Sequence, residues 1–308
     1  MAGSSTTSTS ADEAAELLAL VERQVALGPR VPGTPAHDRL ANELAACLAG
    51  AGAEVHVQPF SARHAGRAVR CRNVVGVFRG GSRDAPLTLL GTHFDTRPIA
   101  DREPDPRLRG VPIPGANDGG SGTAVFLHLL AWLREAGKAG ALARDVAVAF
   151  LDAEDLGGIE GNPYALGAER LAAEPPDAIG RPAEVVVLDM VGGRDMVLDV
   201  DAHAFRHEPS RRLTAELFGV GAARGLAPFV RDKPGRAKYV VSDQWPFLRR
   251  GVPSCLLIDL DYPQWHTQAD RIEAMSGLSL AAIEAALKPW LSRPRAGARR
   301  GSRGSSSP

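Results

Sequence analysis

The sequence predicts one three-layer α/β domain, with a mixed and mostly parallel sheet covered by helices on both faces. Short apolar runs rich in β-branched residues alternate along the chain with segments of helical periodicity. Strands with such continuous apolar runs belong to sheets that are buried on both faces. The chain has 308 residues, 44% of them hydrophobic, which is enough for one large core. The catalytic domain is expected to span residues 11–292.

The first third of the chain is predicted to begin with two helices. Apolar residues recur at helical spacing in residues 11–26, and a leucine at every fourth position marks one face of a helix at 37–49. Gly50 is placed to end the second helix. The strands predicted next are 54–58, 69–78 and 87–92.

The remaining elements alternate in type, as expected for βα units. A helix opens after Gly120, where apolar residues again follow a helical period. The later elements are strands at 146–151, 185–190 and 254–258, and helices at 165–173, 210–224 and 278–291.

The overall charge excludes some classes of function. Lys+Arg and Asp+Glu both total 36, so no net field attracts nucleic acid or an anionic membrane. The three cysteines, Cys47, Cys71 and Cys255, form neither a CxxC pair nor an even disulfide framework. We interpret them as buried structural thiols. Any metal would therefore be held by carboxylate and imidazole groups.

Both ends of the chain have the composition of disordered, solvated segments. Residues 1–10 are rich in Ser and Thr, and residues 293–308 are basic and rich in Gly and Ser. The N-terminus has no basic segment followed by an apolar stretch, so no signal peptide is visible and a cytoplasmic location is expected. No stretch is apolar enough to predict a membrane span.

Acidic residues or histidines follow apolar or loop segments at five places. In open α/β sheets, ligands bind in the loops beyond the carboxyl ends of the strands. One carboxylate there means little, but five such segments predict a shared site. The residues concerned are His93 with Asp95, then Asp118, Glu154 with Asp155, Asp189, and His266.

The residue types favour zinc. Imidazole and carboxylate ligands without thiolate are typical of a catalytic zinc ion with an open coordination position, whereas calcium binds more oxygens. A divalent cation also allows many carboxylates to gather without prohibitive repulsion. Because Glu154 and Asp155 are neighbours, one can bind the metal while the other shuttles protons beside it.

Several of these residues also have simpler structural interpretations. His93 could be a satisfied polar core residue, and Asp118 could cap the helix that begins near Ser121. Asp152 is interpreted as a brace for its loop rather than as a ligand. Trp265 could belong to the core or form an aromatic wall for a substrate.

In their order and spacing these segments resemble the zinc-dependent glutaminyl cyclases and their relatives, the di-zinc aminopeptidases. The resemblance covers nearly the whole chain and begins with a loop similar to one in animal-type glutaminyl cyclases. The segments that carry it are 28–34, 91–95, 115–122, 150–155, 164–172, 188–192, 243–253 and 265–267.

The resemblance implies roles for individual residues. In a cyclase, Asp118, Asp155 and His266 would hold one zinc ion, with Glu154 as the proton shuttle. Asp189 and Asp243 would complete a carboxylate hydrogen-bond network. In an aminopeptidase two zinc ions would be held, one by His93, Asp118 and Asp189, and the other by Asp118, Asp155 and His266.

The flanking residues favour the cyclases, because Trp265 and the segment 246–253 look more like theirs. The expected activity converts the N-terminal glutamine of peptides or proteins to pyroglutamate and releases ammonia. The alternative is a zinc aminopeptidase that hydrolyses N-terminal residues from peptides. A third possibility is an inactive binding domain of the same fold, although a binding module would not need Glu154.

The sequence departs from both families at two positions. Asp155 stands where a Glu is common, so its arm is one methylene shorter. Gln244 follows Asp243 where a His is usual, and this removes one expected partner of the carboxylate network. The segment 156–163 also differs from that of animal cyclases.

Overall fold

A six-stranded sheet separates two layers of helices in the computed structural model, which describes residues 10–80, 86–230 and 237–293. The helices are α1 (Ala11–Ala26), α2 (Pro35–Gly50), α3 (Gly120–Lys138), α4 (Leu166–Ala173), α5 (Ala202–Arg206), α6 (Glu208–Ala223), α7 (Trp245–Arg249) and α8 (Gly277–Leu291). The strands are β1 (Glu54–His64), β2 (Arg67–Phe78), β3 (Leu87–His93), β4 (Asp145–Leu151), β5 (Glu184–Asp189), β6 (Val200–Asp201), β7 (Ala237–Lys238) and β8 (Ser254–Ile258).

The main sheet has the order β1-β2-β4-β3-β5-β8. Strands β4, β3, β5 and β8 run parallel to one another, whereas β1 and β2 form an antiparallel hairpin and β2 is antiparallel to β4. The carboxyl ends of the four parallel strands therefore lie along one edge of the sheet. This confirms the predicted mixed and mostly parallel sheet.

Side chains of the parallel strands alternate between two cores. Leu90 and Val186 pack in the core under α1, α2, α3, α6 and α8. Their neighbours Leu89 and Val185 point to the opposite face and pack with residues of α4 and α7. This period of two, with both faces apolar, explains why the strands appear in the sequence as continuous apolar runs.

The six predicted helices and six predicted main-sheet strands are confirmed, with differences at their ends. Strand β1 is longer than predicted and continues through Pro59 to His64. Among the described strands it pairs only with β2, and an edge strand tolerates a proline because its outer N–H groups need no partner in the sheet. Strand β5 ends at Asp189 instead of Met190, since Met190 takes a positive φ of 48°.

The cysteines differ in exposure. Cys71 in β2 and Cys255 in β8 are buried, as the sequence predicted. The prediction is wrong for Cys47, which is exposed. It lies on α2 three residues after Leu44 and one before Leu48, which both face the core, so its side chain points away from that face.

The described chain ends are held by hydrogen bonds. Ser10 caps α1, accepting from the backbone N–H of Glu13 at 3.1 Å, and the carbonyl oxygen of Arg293 accepts from Arg144 at 2.7 Å. The rest of the predicted disordered ends, residues 1–9 and 294–308, lies outside the described residues. Among the described residues, no helix combines the length and the apolarity needed to cross a membrane.

Candidate metal centre

The carboxyl edge of the sheet brings the predicted site residues together. His93 and Asp189 are the last residues of β3 and β5, while Glu154 and Asp155 follow β4. The residues that come from loops are Asp118 before α3, Asp243 before α7, and Trp265 with His266 after β8.

Two groups of possible metal ligands share Asp118: the first group is His93, Asp118 and Asp189, and the second group is Asp118, Asp155 and His266. In each group the ligand atoms lie within 4.8 Å of one another. His93 Nε2 lies 3.2 Å from Asp118 Oδ1 and 3.4 Å from Asp189 Oδ1. His266 Nε2 lies 3.6 Å from both Asp118 Oδ2 and Asp155 Oδ1. Asp118 thus presents one oxygen to each histidine, which is the arrangement of a carboxylate between two neighbouring sites.

Backbone conformations that L side chains rarely adopt cluster at these ligands. His266, Ala153 and Met190 have φ values of 57°, 59° and 48°. Each lies at, directly before or directly after a residue of the site, and such strain is typically retained where function requires a fixed side-chain direction. Gly119, with φ 76°, is needed for a further reason, because a Cβ there would overlap the backbone carbonyl oxygen of Asp95.

Buried carboxylates hold the loops that carry the ligands. Asp95 accepts from the backbone N–H groups of Glu154 at 3.2 Å and Asp155 at 3.1 Å. Asp270 accepts from the backbone N–H of Asp118 at 3.1 Å. Sequence reasoning assigned no role to Asp270, because a single Asp in a loop carries no motif.

The ion pair between Arg97 and Asp101 connects Asp155 with His266. Asp101 Oδ1 accepts from His266 Nδ1 at 2.9 Å. The Arg97 guanidinium binds both Asp101 oxygens at 3.0 and 2.9 Å, and also donates to the carbonyl oxygen of Asp155 at 3.0 Å. A carboxylate on the far nitrogen of a histidine is the usual support of a metal-binding imidazole. Neither Arg97 nor Asp101 was predicted from the sequence.

The carboxylates raise the proton affinity of both histidines. Burial lowers the pKa of His93, but Asp118, Asp189 and Asp95 outweigh it and hold that pKa well above its usual range. Burial also opposes the charge on His266, yet Asp101 and Asp155 raise its pKa to about 9. The cluster therefore favours positive charge at both imidazoles.

The acids Glu154 and Asp243 hold their protons more tightly than exposed carboxyl groups do. Burial, together with Asp155, Asp243 and Asp189, raises the pKa of Glu154 well above its usual range against the opposing effect of His93. Burial and nearby carboxylates, with Asp189 first, raise the pKa of Asp243 to about 8, again opposed by His93. Burial is the first cause of both pKa shifts, and the neighbouring carboxylates add to it.

Several buried oxygens of the cluster have no hydrogen-bond partner among the described residues. They are Asp118 Oδ2, Asp155 Oδ2 and both carboxylate oxygens of Asp243. An unsatisfied buried carboxylate oxygen is costly unless a cation binds it. With two imidazoles and no thiolate in the groups, these residues fit zinc. The shorter arm of Asp155 still brings its oxygen into the second group.

The hydrogen bonds of Asp118, Asp152 and Gln244 distinguish structural roles from roles at the metal site. The N-cap of α3 is Gly119, with no side-chain cap hydrogen bond, so Asp118 does not serve as the helix cap. Asp152 accepts from His37 at 2.8 Å and from a backbone N–H at 2.6 Å, which confirms its interpretation as a loop brace. Gln244 donates to Asp201 at 3.0 Å and leaves Asp243 without that partner.

A cavity of about 350 Å³ opens above the ligands. Asp118, Glu154, Asp155, Asp189 and His266 all line it, so its floor is acidic. Its wall is partly aromatic and apolar, and includes Tyr164, Tyr239, Val241, Leu260 and Trp265. Trp265 lies directly beside a candidate ligand, with its ring centroid 4.6 Å from that of His266. His93 and Asp243 are almost completely buried.

Comparisons with known proteins agree with this geometry. The sequence profile of peptidase family M28 matches residues 73–290. A glutaminyl cyclase from Tannerella forsythia is similar in structure, with a TM-score of 0.81 and 28% identity over 92% of this chain and 99% of that one. A Zn-dependent exopeptidase from Parabacteroides distasonis has the same TM-score and identity, over 91% of this chain and 98% of the other.

A third similar structure is described as a leucine aminopeptidase precursor from Bacteroides thetaiotaomicron. Its TM-score is 0.82, at 25% identity over 92% of this chain and 97% of that one. No curated protein sequence matches significantly. The similar structures thus include both kinds of enzyme that the sequence resembles.

Proposed function

Because the chain belongs to peptidase family M28, we propose that it is a zinc-dependent glutaminyl-peptide cyclotransferase, which converts the N-terminal glutamine of peptides to pyroglutamate. The observation that carries this choice is the position of Trp265. Its ring lines the cavity directly beside His266, where it can pack on the aliphatic part of a glutamine side chain. Similar structures from several bacteria are glutaminyl cyclases.

In this proposal one zinc ion is held by Asp118, Asp155 and His266, whose ligand atoms form one of the two groups. When bound, zinc supplies a Lewis acid for the side-chain amide of the substrate. Asp101 keeps Nε2 of His266 directed at the group by accepting from Nδ1.

Glu154 is the proton shuttle. It lines the cavity and lies next to Asp155 in the chain, but it belongs to neither ligand group. The α-amino nitrogen of the substrate forms a bond to the side-chain amide carbon, and Glu154 takes a proton from that nitrogen. The bond from the same carbon to the amide nitrogen then breaks, and Glu154 returns the proton to the departing ammonia. Burial makes Glu154 a stronger base than an exposed carboxylate.

Asp189 and Asp243 orient the amide nitrogen of the substrate. Asp189 lines the cavity and accepts from the Ser242 hydroxyl at 2.8 Å, which fixes one of its oxygens. Asp243 keeps both oxygens free of hydrogen bonds to the described residues, and burial with the nearby carboxylates raises its pKa and so favours its protonated form. A protonated and an ionised carboxyl can together donate to and accept from an amide group.

An assay with a glutamine peptide tests this function. The zinc-loaded enzyme is incubated with a Gln-Ala-Ala peptide, and ammonia, free glutamine and peptide mass are measured. Cyclisation releases ammonia and leaves the number of residues unchanged. If only free glutamine appears, the cyclase proposal is wrong.

The second candidate is a zinc aminopeptidase, favoured by the group of His93, Asp118 and Asp189. This group offers a second metal position with the same types of ligand. Glu154 would then act as the base toward the attacking water. Two zinc ions per chain, loss of one on His93→Ala, and release of free amino acids would together support the peptidase.

A further inference from the structure

Arg102 is a cation fixed at the rim of the cavity. Its guanidinium carbon lies 3.8 Å from the centroid of the Trp265 ring, and both residues line the cavity. Its backbone N–H donates to the carbonyl oxygen of His266 at 3.3 Å. The side chain of Arg102 thus contacts Trp265 and its backbone contacts His266, although the residue is exposed.

No carboxylate of the described residues neutralises the charge of Arg102. In the part of the chain that the structure describes, no ion pair or side-chain hydrogen bond of Arg102 is found. The other arginine of the cavity, Arg97, is buried and bound to Asp101. The adjacent Glu103 is turned away, because its carboxylate accepts from the backbone N–H of Gln268 at 2.8 Å. Arg102 can therefore pair with an incoming anion.

The Arg102 guanidinium lies near the part of the cavity rim that the second residue of a bound peptide would reach. The Trp265 ring has Arg102 at 3.8 Å and the His266 ring at 4.6 Å. Because both groups lie this close to one ring, the guanidinium is within reach of a peptide whose first residue lies at His266, since each further residue of extended peptide adds roughly 3.5 Å. With the N-terminal residue at the ligands, the next residue reaches the rim.

We propose that Arg102 is a specificity-determining residue that binds a carboxylate carried by the residue after the N-terminal glutamine. The preferred substrates are peptides with Asp or Glu in second position. The same chemistry would be offered by the C-terminal carboxylate of a glutaminyl dipeptide. This proposal rests on the proposed function for the identity of the first residue, but the recognition of the second residue does not depend on which bond reacts.

The test compares C-terminally amidated peptides that differ only in the second residue. Gln-Glu-Ala-Ala, Gln-Gln-Ala-Ala and Gln-Lys-Ala-Ala are turned over by the zinc-loaded full chain, and kcat/KM is measured for each. We expect Glu to be favoured over Gln by about twofold to fivefold, the range of an exposed ion pair. The preference should shrink as salt rises from about 20 to about 500 mM, because salt screens exposed charges.

Variants separate Arg102 from general charge effects. Arg102→Gln should abolish the preference, and Arg102→Glu should reverse it in favour of Lys. Arg134→Gln removes the same charge from an exposed position on α3 outside the cavity, so the preference should remain. Gln-Ala with a free or an amidated C-terminus distinguishes the two sources of carboxylate. Equal values for Glu and Gln in the wild type, or a preference unchanged in Arg102→Glu, would overturn the proposal.

A failure of the proposed function gives a different result. If the products are free amino acids, kcat/KM for each peptide is measured from their release. The comparison of peptides then still tests the role of Arg102. If no peptide reacts, binding of the same peptides to the zinc-loaded wild type and Arg102→Glu is measured by calorimetry. An inverted order of affinities supports the role of Arg102, and an unchanged order contradicts it.

Discussion

His266 donates from Nδ1 to Asp101 across 2.9 Å, and this hydrogen bond leaves Nε2 directed at Asp118 and Asp155. The contact fixes both the tautomer and the ring orientation of the histidine when it is neutral. Arg97 holds Asp101 in place through two further hydrogen bonds. The direction of this candidate metal ligand is thus set from the loop between β3 and α3, the loop that also carries Asp118.

Removing Asp101 should weaken zinc binding. We expect Asp101→Ala to lower zinc affinity about 10- to 100-fold, because His266 loses the carboxylate that orients it. Affinity is measured by competition with a chelating dye. Asp105→Ala is the matched control, since Asp105 lies in the same loop but pairs with Arg107. Equal affinities in the two variants would contradict the role of Asp101.

Replacing Glu154, the proposed proton shuttle, should lower turnover strongly without removing zinc. Glu154→Gln is expected to lower kcat by about 10²- to 10⁴-fold, the usual contribution of general acid–base catalysis. Zinc content should be unchanged, because Glu154 belongs to neither ligand group. Glu160→Gln, at an exposed position of the same loop, should retain activity. Intact turnover in Glu154→Gln would show that the mechanistic assignment is wrong.

The zinc-free protein should become less stable as pH rises from about 6 to about 8. Burial and the nearby Asp118 raise the pKa of Asp270 to about 7, and that of Asp243 is raised to about 8, so both bind a proton more tightly when folded. The pKa of His266 is raised to about 9 and acts in the same direction. Stability from these groups is fully present below their unfolded pKa values and is lost as pH rises through the folded ones.

The measurement is the melting temperature of zinc-free protein at about pH 6, 7 and 8, repeated with saturating zinc. Because protons and zinc compete for the same residues, we expect zinc to raise the melting temperature more at the highest pH than at the lowest. Asp101 does not reverse this trend. Burial opposes its charge, but His266 and Arg97 lower its pKa, so that it titrates below this range. A melting temperature of the zinc-free protein that rises with pH would contradict the expectation.

Removing the Trp265 ring should weaken substrate binding. Trp265→Ala is expected to raise KM about tenfold, since loss of part of the ring contact costs about 1 to 2 kcal/mol. Trp265→Phe should retain most of the affinity because a ring remains. Both are compared by initial rates over a range of glutamine-peptide concentrations. A change in kcat alone would indicate that Trp265 supports His266 and does not contact the substrate.

The fold was predictable because its signals are strong and repeated. Continuous apolar runs predicted β3, β4, β5 and β8, and the residues that end them predicted the edge at which the ligands meet. The superfamily predicted from the motifs is confirmed by the match to peptidase family M28 and by the similar structures. The catalytic roles of the individual residues stay predictions.

The residues that support the ligands could not be predicted in the same way. Asp101 and Asp270 are single acids in loops, and only the folded chain brings them to His266 and to the turn before α3. Strands β6 and β7 have two residues each, too few to show a period. Helix α7 has five residues, too few to show a helical period in the sequence, and it packs against α4.

The order of the ligands along the chain has a consequence for biosynthesis. His93 and Asp118 emerge early, whereas His266 follows the last strand of the sheet and precedes only α8 among the α-helices of the described chain. A nascent chain that has already formed β3 and β4 still lacks the residue that completes the second ligand group. Metal capture by that group therefore has to await synthesis of β8 and of the loop that follows it.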